Sequence, residues 1–204
     1  MKRRGIFITF EGPDGAGKST QARLLASWLR GKGRRVLATR EPGGTTIGMK
    51  LRRILLHSRP GSIEPLVELL LYEASRAILV REVIRPALRA GKIVLLDRFQ
   101  DSTWVYQGWA GGMDVALIER LGRAATGGLK PDLTLLLDLP ARTGLGRVKR
   151  PNRMEAKPVS FHDRVRGGYR ILAQRERRRV RLIAANRPVH EVRQAIQEAV
   201  ADVL

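Results

Sequence analysis

A chain of 204 residues is long enough for one α/β domain and too short for two with cores of their own. It carries 39 Lys and Arg against 19 Asp and Glu, a formal charge of +20, and no cysteine, which excludes disulfides and thiolate metal sites within the chain. A charge of that size attracts phosphate, but the basic residues are spread along the chain, and aromatics make up only 5% and do not alternate with them as a stacking platform requires. Nucleic acid is therefore not expected as a functional partner. No apolar run is long enough to cross a bilayer, and Met-Lys-Arg-Arg leads straight into an apolar segment without the pattern of a signal peptide, so no membrane contact and a cytoplasmic location are expected.

Residues 5–11 read as a buried strand, followed by a glycine-rich loop and a helix over 18–31 with Leu24, Leu25, Trp28 and Leu29 on one face. The loop, Gly12-Pro13-Asp14-Gly15-Ala16-Gly17-Lys18-Ser19-Thr20, fits G-x-x-x-x-G-K-[ST]. In a strand–loop–helix of this kind, backbone N–H groups and the helix N-terminus converge on one anion. The loop is read as a phosphate cradle.

A short strand is expected over 35–39, then an irregular Arg40-Glu41-Pro42-Gly43-Gly44-Thr45 loop and an amphipathic helix marked by Ile47, Leu51, Ile54 and Leu55. A long helical pattern covers 64–90, with Pro86 expected to kink or split it. Residues 92–97 form a nearly all-apolar strand ending in the carboxylate of Asp97. Helices are expected over 101–107 and 114–126, strands over 133–139 and 180–184, and closing helices over 158–175 and 189–203. No repeat or linker marks a boundary, so residues 1–204 form a single domain. Strands alternating with helices imply an α/β fold with a parallel sheet and helices on both faces. Ligands of such sheets gather at the strands' C-terminal ends, where Gly12, Arg40, Asp97 and Arg98 fall.

Four further stretches carry chemistry. Arg40 to Thr45 is one; Tyr72-Glu73-Ala74-Ser75-Arg76 places a ring and a guanidinium on one helix face. Asp97-Arg98-Phe99-Gln100-Asp101-Ser102-Thr103 continues through Tyr106-Gln107-Gly108, and a basic segment runs from Arg147 to Glu155. Together with Lys130-Pro131-Asp132-Leu133 and the late Phe161-His162-Asp163-Arg164-Val165-Arg166-Gly167-Gly168-Tyr169, they make the chain resemble the thymidylate kinases over nearly its whole length.

That resemblance implies a three-layer P-loop nucleoside-monophosphate-kinase fold, with a five-stranded parallel sheet and a mobile lid at about 147–158. It implies transfer of a phosphoryl group from ATP to dTMP with Mg²⁺, and a homodimer. Gly12 to Thr20 would hold the ATP phosphates, with Lys18 at the β and γ groups and Ser19 and Asp97 on the metal side. Asp14 would face the acceptor near its 3′-hydroxyl, and Arg40, Arg76 and Arg98, with Arg52 as a further candidate, its phosphate. Tyr72 stands where the family usually stacks a Phe on thymine; Ser102, Thr103 and Gln107 would line the base and Tyr106 the deoxyribose. Some members carry a catalytic arginine in the phosphate loop, where this chain has Gly15, so the resemblance points to the lid, and to Arg153 rather than Arg147 or Arg150. The chain departs from the pattern at Asn152, which replaces an acid, and at Ala184-Ala185.

Chemistry independent of the resemblance agrees. Phosphoryl transfer needs in-line positioning and cations about the equatorial oxygens, and an acceptor phosphate with a second pKa near about 6 needs no general base. The three histidines and four methionines show no ligand spacing and receive no role. Another P-loop nucleotide or small-molecule kinase, and a nucleic-acid-associated P-loop NTPase, remain the alternatives.

Overall fold

In the computed structural model, which describes residues 4–204, five parallel strands lie in the order β2-β3-β1-β4-β5. They are β1 (Phe7–Glu11), β2 (Val36–Arg40), β3 (Ile93–Asp97), β4 (Leu133–Asp138) and β5 (Val180–Ala184). The three central strands are buried almost throughout, as expected of a sheet covered on both faces. Residues 1–3, part of the Met-Lys-Arg-Arg stretch read above, lie outside the described residues.

Alternation along each strand sorts the apolar side chains into two layers. Ile8, Phe10, Leu95 and Leu135 meet α1 (Lys18–Gly31) and α9 (Val189–Ala201) through Leu25, Leu29, Ile196 and Val200. On the other face Phe7, Val94 and Leu96 meet Leu79 and Ile84, while Leu136 packs with Tyr106, Phe161 and Tyr169.

The expected 64–90 helix exists as α3 (Pro65–Leu79), a π-helical turn (Val80–Ile84) and α4 (Arg85–Arg89). The N–H of Arg85 reaches back five residues to Val80. Because Pro86 has no N–H and its ring crowds the preceding turn, the wider turn just before it absorbs the mismatch. The helix expected at 101–107 is likewise split into α5 (Gln100–Thr103) and a π-helical segment (Trp104–Trp109). Ahead of α3 lies α2 (Thr46–His57), capped by the Thr45 hydroxyl, which accepts from the Gly48 N–H. The short α7 (Ala141–Leu145), absent from the sequence expectations, follows β4, after α6 (Val115–Thr126). The segment 147–158 has no regular structure and leads into α8 (Val159–Arg175).

Since every strand is parallel, the loops after β1, β2, β3 and β4 open on one edge of the sheet. A cleft of about 650 Å³ occupies that edge.

Candidate functional site

The floor of the cleft is the loop that leaves β1. Gly12 has φ +137°, and a Cβ there would stand 2.3 Å from the Leu137 carbonyl oxygen, so the tight exit from the strand requires glycine. Gly17, in the left-handed region, opens α1. Lys18 folds back over the loop and donates to the carbonyls of Gly12 (3.0 Å) and Pro13 (2.6 Å). Burial, and then Arg98, push its ammonium down to about 8. The Ser19 hydroxyl donates to the Asp97 carboxylate at the end of β3.

Arg98 follows Asp97 with φ +70°, the one positive value outside glycine among the described residues. This costs of order 1–3 kcal/mol and persists only where its surroundings over-determine it. Here they do. The Arg98 N–H donates to the Phe10 carbonyl (2.9 Å), and the next N–H, of Phe99, donates to the Glu11 carboxylate (2.7 Å). The turn aims the guanidinium across the loop, where Nη2 donates to Asp14 (2.5 Å) and Nη1 to the Gly12 carbonyl (3.2 Å) and the Ser102 hydroxyl (3.1 Å). Tyr106 donates to the other Asp14 oxygen (2.8 Å) and lies beneath Arg98, 5.0 Å from ring centroid to guanidinium. Burial works to raise the Asp14 carboxyl, but Arg98, Lys18 and the Tyr106 hydroxyl outweigh it and hold the group below the ordinary carboxylate range.

Glu11 is the hidden organiser of this wall. It accepts from Phe99 N–H, from the Ser102 hydroxyl (2.6 Å) and from the Tyr169 hydroxyl (2.9 Å). Burial, then the Asp101 carboxylate, push it up to about 7.

The far wall comes from α3 and the β2 loop. Arg76 is 2% exposed. Its Nε donates to Glu41 (2.8 Å), Nη1 to Glu73 (2.7 Å) and Gln100 (2.6 Å), and Nη2 to the Phe99 carbonyl (3.3 Å) and Thr103 (2.9 Å). A guanidinium has five N–H groups, and all five are engaged. Tyr72, one turn earlier, lines the cleft with its phenol pushed well above its ordinary range by burial, so it stays neutral. Arg40 lines the opening, and Arg52 donates to the Pro42 carbonyl (2.9 Å). Gln107 lines the inner end and donates to Glu68 (2.7 Å).

A model of the thymidylate kinase family matches residues 10–196 of this chain. The chain belongs to the thymidylate kinase family. It is 48% identical over 197 residues to the thymidylate kinase of Desulfovibrio desulfuricans, covering 92% of this chain and 91% of that one. The identity to the Deinococcus radiodurans thymidylate kinase is also 48%, over 202 residues and 98% of both chains. The crystal structure of thymidylate kinase from Ehrlichia chaffeensis superposes with a TM-score of 0.80 at 33% identity, covering 97% of this chain and 99% of that one.

Set against a thymidylate kinase frame, the cleft gathers Asp14 to Thr20, Arg40, Arg52, Tyr72, Asp97, Arg98, Ser102, Thr103, Tyr106 and Gln107 on one concave surface. Two of the arginines expected at ligands are held by protein groups. Arg76 borders the cleft beside Thr103 but has no N–H free for a phosphate, because two buried glutamates consume its charge. Arg153, expected at the transferring phosphoryl group, is not among the cleft-lining residues. It is pinned against α2 and α3, its Nε donating to the Leu55 carbonyl (2.8 Å) and its Nη2 paired with Glu68. Arg147 reaches the cleft instead and donates to the Gly15 carbonyl (3.2 Å). Asn152 departs from the family's acid yet closes the turn itself, accepting from the N–H groups of Met154 (2.9 Å) and Glu155 (3.3 Å).

Glu11, Glu41, Glu68 and Glu73 received no role from the sequence. For Glu11 the signal was present, an acid ending an apolar strand, the same signal that singled out Asp97. Glu41, Glu68 and Glu73 matter through the arginines they hold, a pairing that only the folded chain reveals.

Proposed function

We propose that this chain transfers the γ-phosphoryl group of ATP to dTMP, giving dTDP and ADP. The observation that carries the reading is the Asp14–Arg98–Tyr106 cluster, which sets a cation and a ring beside the phosphate loop where an acceptor would meet the donor. Gly12 to Thr20 hold the ATP phosphates, and Lys18 leaves its loop carbonyls for the β and γ groups. Arg98 and Arg40 take the acceptor phosphate, with Arg52 behind them. Tyr72 lies on the base, Thr103 and Gln107 edge it, and Tyr106 supports the sugar. Arg76 positions Thr103 rather than meeting phosphate. Bringing two anions together is the main barrier, and preorganised cations are the means of lowering it.

The Ser19 hydroxyl and the Asp97 carboxylate are hard oxygen donors already in contact, which fits Mg²⁺, an ion that takes one or two protein ligands and completes its shell with phosphate and water. When bound it would neutralise charge on the transferring phosphoryl group. Lys18, Arg98 and Arg147 do the same from the protein side, with Arg147 as the lid cation and Arg153 as the strut that anchors the segment to α2 and α3. We read those residues as the mobile lid of a single domain.

Ile47, Met49 and Ile54 of α2 and Leu66, Val67 and Leu70 of α3 are exposed apolar side chains on two helices that pack together, and we assign them to a homodimer contact. No helix among the described residues is long and apolar enough to cross a membrane, and the reading places the enzyme in the cytoplasm. The test is ADP release from Mg²⁺·ATP with a panel of nucleoside monophosphates, beside the sedimentation mass. Turnover with dTMP well above CMP and AMP is expected; equal rates would refute the assignment.

A further inference from the structure

His162 lies in the first turn of α8, where the irregular 147–158 segment re-enters regular structure. It is 1% exposed, and neither ring nitrogen has a hydrogen-bond partner among the described residues. Roughly 90% or more of buried polar groups are paired, and an unpaired one is costly. A phenylalanine or leucine would fill this space without that cost, so space-filling does not account for an imidazole.

The ring is not aimed at random. Its Nδ1 lies 3.8 Å from Oδ2 of Asp14, about 1 Å beyond a hydrogen bond. Phe161 packs edge-on against it, with centroids 5.6 Å apart. Asp14 already accepts from Arg98 through Oδ1 and from Tyr106 through Oδ2. A carboxylate offers about four lone-pair sites, so Oδ2 has room for a second donor. Of the groups around Asp14, Arg98 and Tyr106 come from the segment after β3, and His162 comes from the helix that follows the lid.

We propose that His162 is a positioning residue: when residues 147–158 close over both nucleotides, the first turn of α8 advances and the Nδ1–H of His162 donates to Oδ2 of Asp14, locking the carboxylate that faces the acceptor's sugar. This rests on the reading of Asp14 as an acceptor contact. It gives lid closure a direct line to the acceptor half of the cleft. It also explains why the chain keeps a buried, unpaired imidazole, since the cost is recovered only in the closed state.

The experiment compares His162→Phe and His162→Asn in the full chain. The asparagine amide nitrogen falls near the position of Nδ1, whereas phenylalanine keeps the bulk without a donor. Without ligands, His162→Phe should melt at or above the wild-type temperature, because no hydrogen bond is lost. With ATP and dTMP, its KM for dTMP should rise about three- to tenfold, the worth of one such bond, while its KM for ATP stays within twofold. His162→Asn should restore most of the dTMP affinity. In an Asp14→Asn background the His162→Phe effect should shrink towards unity. A His162→Phe protein that melts lower without ligands, or loses ATP and dTMP affinity equally, or is not rescued by His162→Asn, overturns the proposal in favour of a packing role. Wild-type turnover of dTMP in the same assay reports on the underlying reading separately, and the ligand-free melting comparison stands whatever the substrate.

Discussion

Arg153→Ala and Arg147→Ala should separate stability from catalysis. The Arg153 side chain is 6% exposed and its partner Glu68 is 8% exposed. Removing the guanidinium leaves the Glu68 carboxylate buried with only the Gln107 amide, and frees the Leu55 carbonyl. Breaking a buried ion pair from one side costs about 3–5 kcal/mol. For a chain of this size each kcal/mol moves Tm by roughly 2–4 °C, so a fall of about 6–20 °C is expected. Arg147 is exposed, and its truncation should change stability by no more than about 0.5 kcal/mol. Arg147 donates to the Gly15 carbonyl of the phosphate loop, and if it serves there as the proposed cation its loss should lower kcat by about 10²–10³-fold, the effect of removing one preorganised donor. Scanning calorimetry of both variants, beside ADP release at saturating ATP and dTMP, measures the two effects. An Arg153→Ala enzyme with wild-type Tm and a hundredfold lower kcat, beside an unaffected Arg147→Ala, would show that Arg153 swings into the cleft and that its pairing with Glu68 is incidental.

Arg76→Met should destabilise the fold by about 3–5 kcal/mol, since Glu41 and Glu73 both lose their counter-ion. The loss should be partly relieved at low pH. Burial, opposed by Arg76, already pushes Glu41 up from 4.5 to about 7, and a carboxyl raised in the folded state contributes stability below its unfolded pKa that disappears as pH rises through its folded one. Urea unfolding of the variant at pH 5 and pH 7.5 should therefore show a smaller deficit at pH 5, and a deficit independent of pH would contradict the pairing. Lys18 predicts the opposite edge of the pH range. With its ammonium lowered to about 8, ATP binding near pH 8 should take up roughly half a proton, and affinity should fall above that pH. Calorimetry in two buffers of different ionisation enthalpy checks this, and zero uptake would place Lys18 in an ordinary environment.

The fold was largely legible because its signals are local. A P-loop between an apolar strand and an amphipathic helix leaves little choice, and α1 begins and ends where the pattern places it. The edges that moved did so for identifiable reasons. Pro86 acts on the turn before it and not at its own position, and the helix after Arg98 widens into a π-helical segment that period counting cannot distinguish from an α-helix. The short α7 carries too few residues to show a period. In the candidate site, the residues on strand ends and in the glycine loop were legible because their direction follows from topology, whereas Arg52, Tyr72, Ser102, Thr103, Tyr106 and Gln107 reach the cleft from helices and were singled out through the family resemblance. The arginines were harder. Arg40, Arg76, Arg98, Arg147 and Arg153 look alike in a sequence, and which of them face a ligand depends on which carboxylates reach them first. Glu41 and Glu73 claim Arg76, Glu68 claims Arg153, and Asp14 shares Arg98 with the cleft.

The contact between the phosphate loop and α7 constrains what this chain can become. A Cβ on Gly15 would fall 2.0 Å from the Gly144 carbonyl oxygen, and a Cβ on Gly144 would fall 2.1 Å from the Asp14 carbonyl oxygen. Gly15 also has φ +73°, which resists any side chain. The phosphate loop and α7 thus lock each other: neither glycine can acquire a side chain while the facing backbone, Gly144 for Gly15 and Asp14 for Gly144, stays in place. An arginine at position 15 would require the loop and the course of the chain after β4 to change together. Backbone geometry alone therefore keeps position 15 free of a side chain, whichever residues outside the loop supply positive charge.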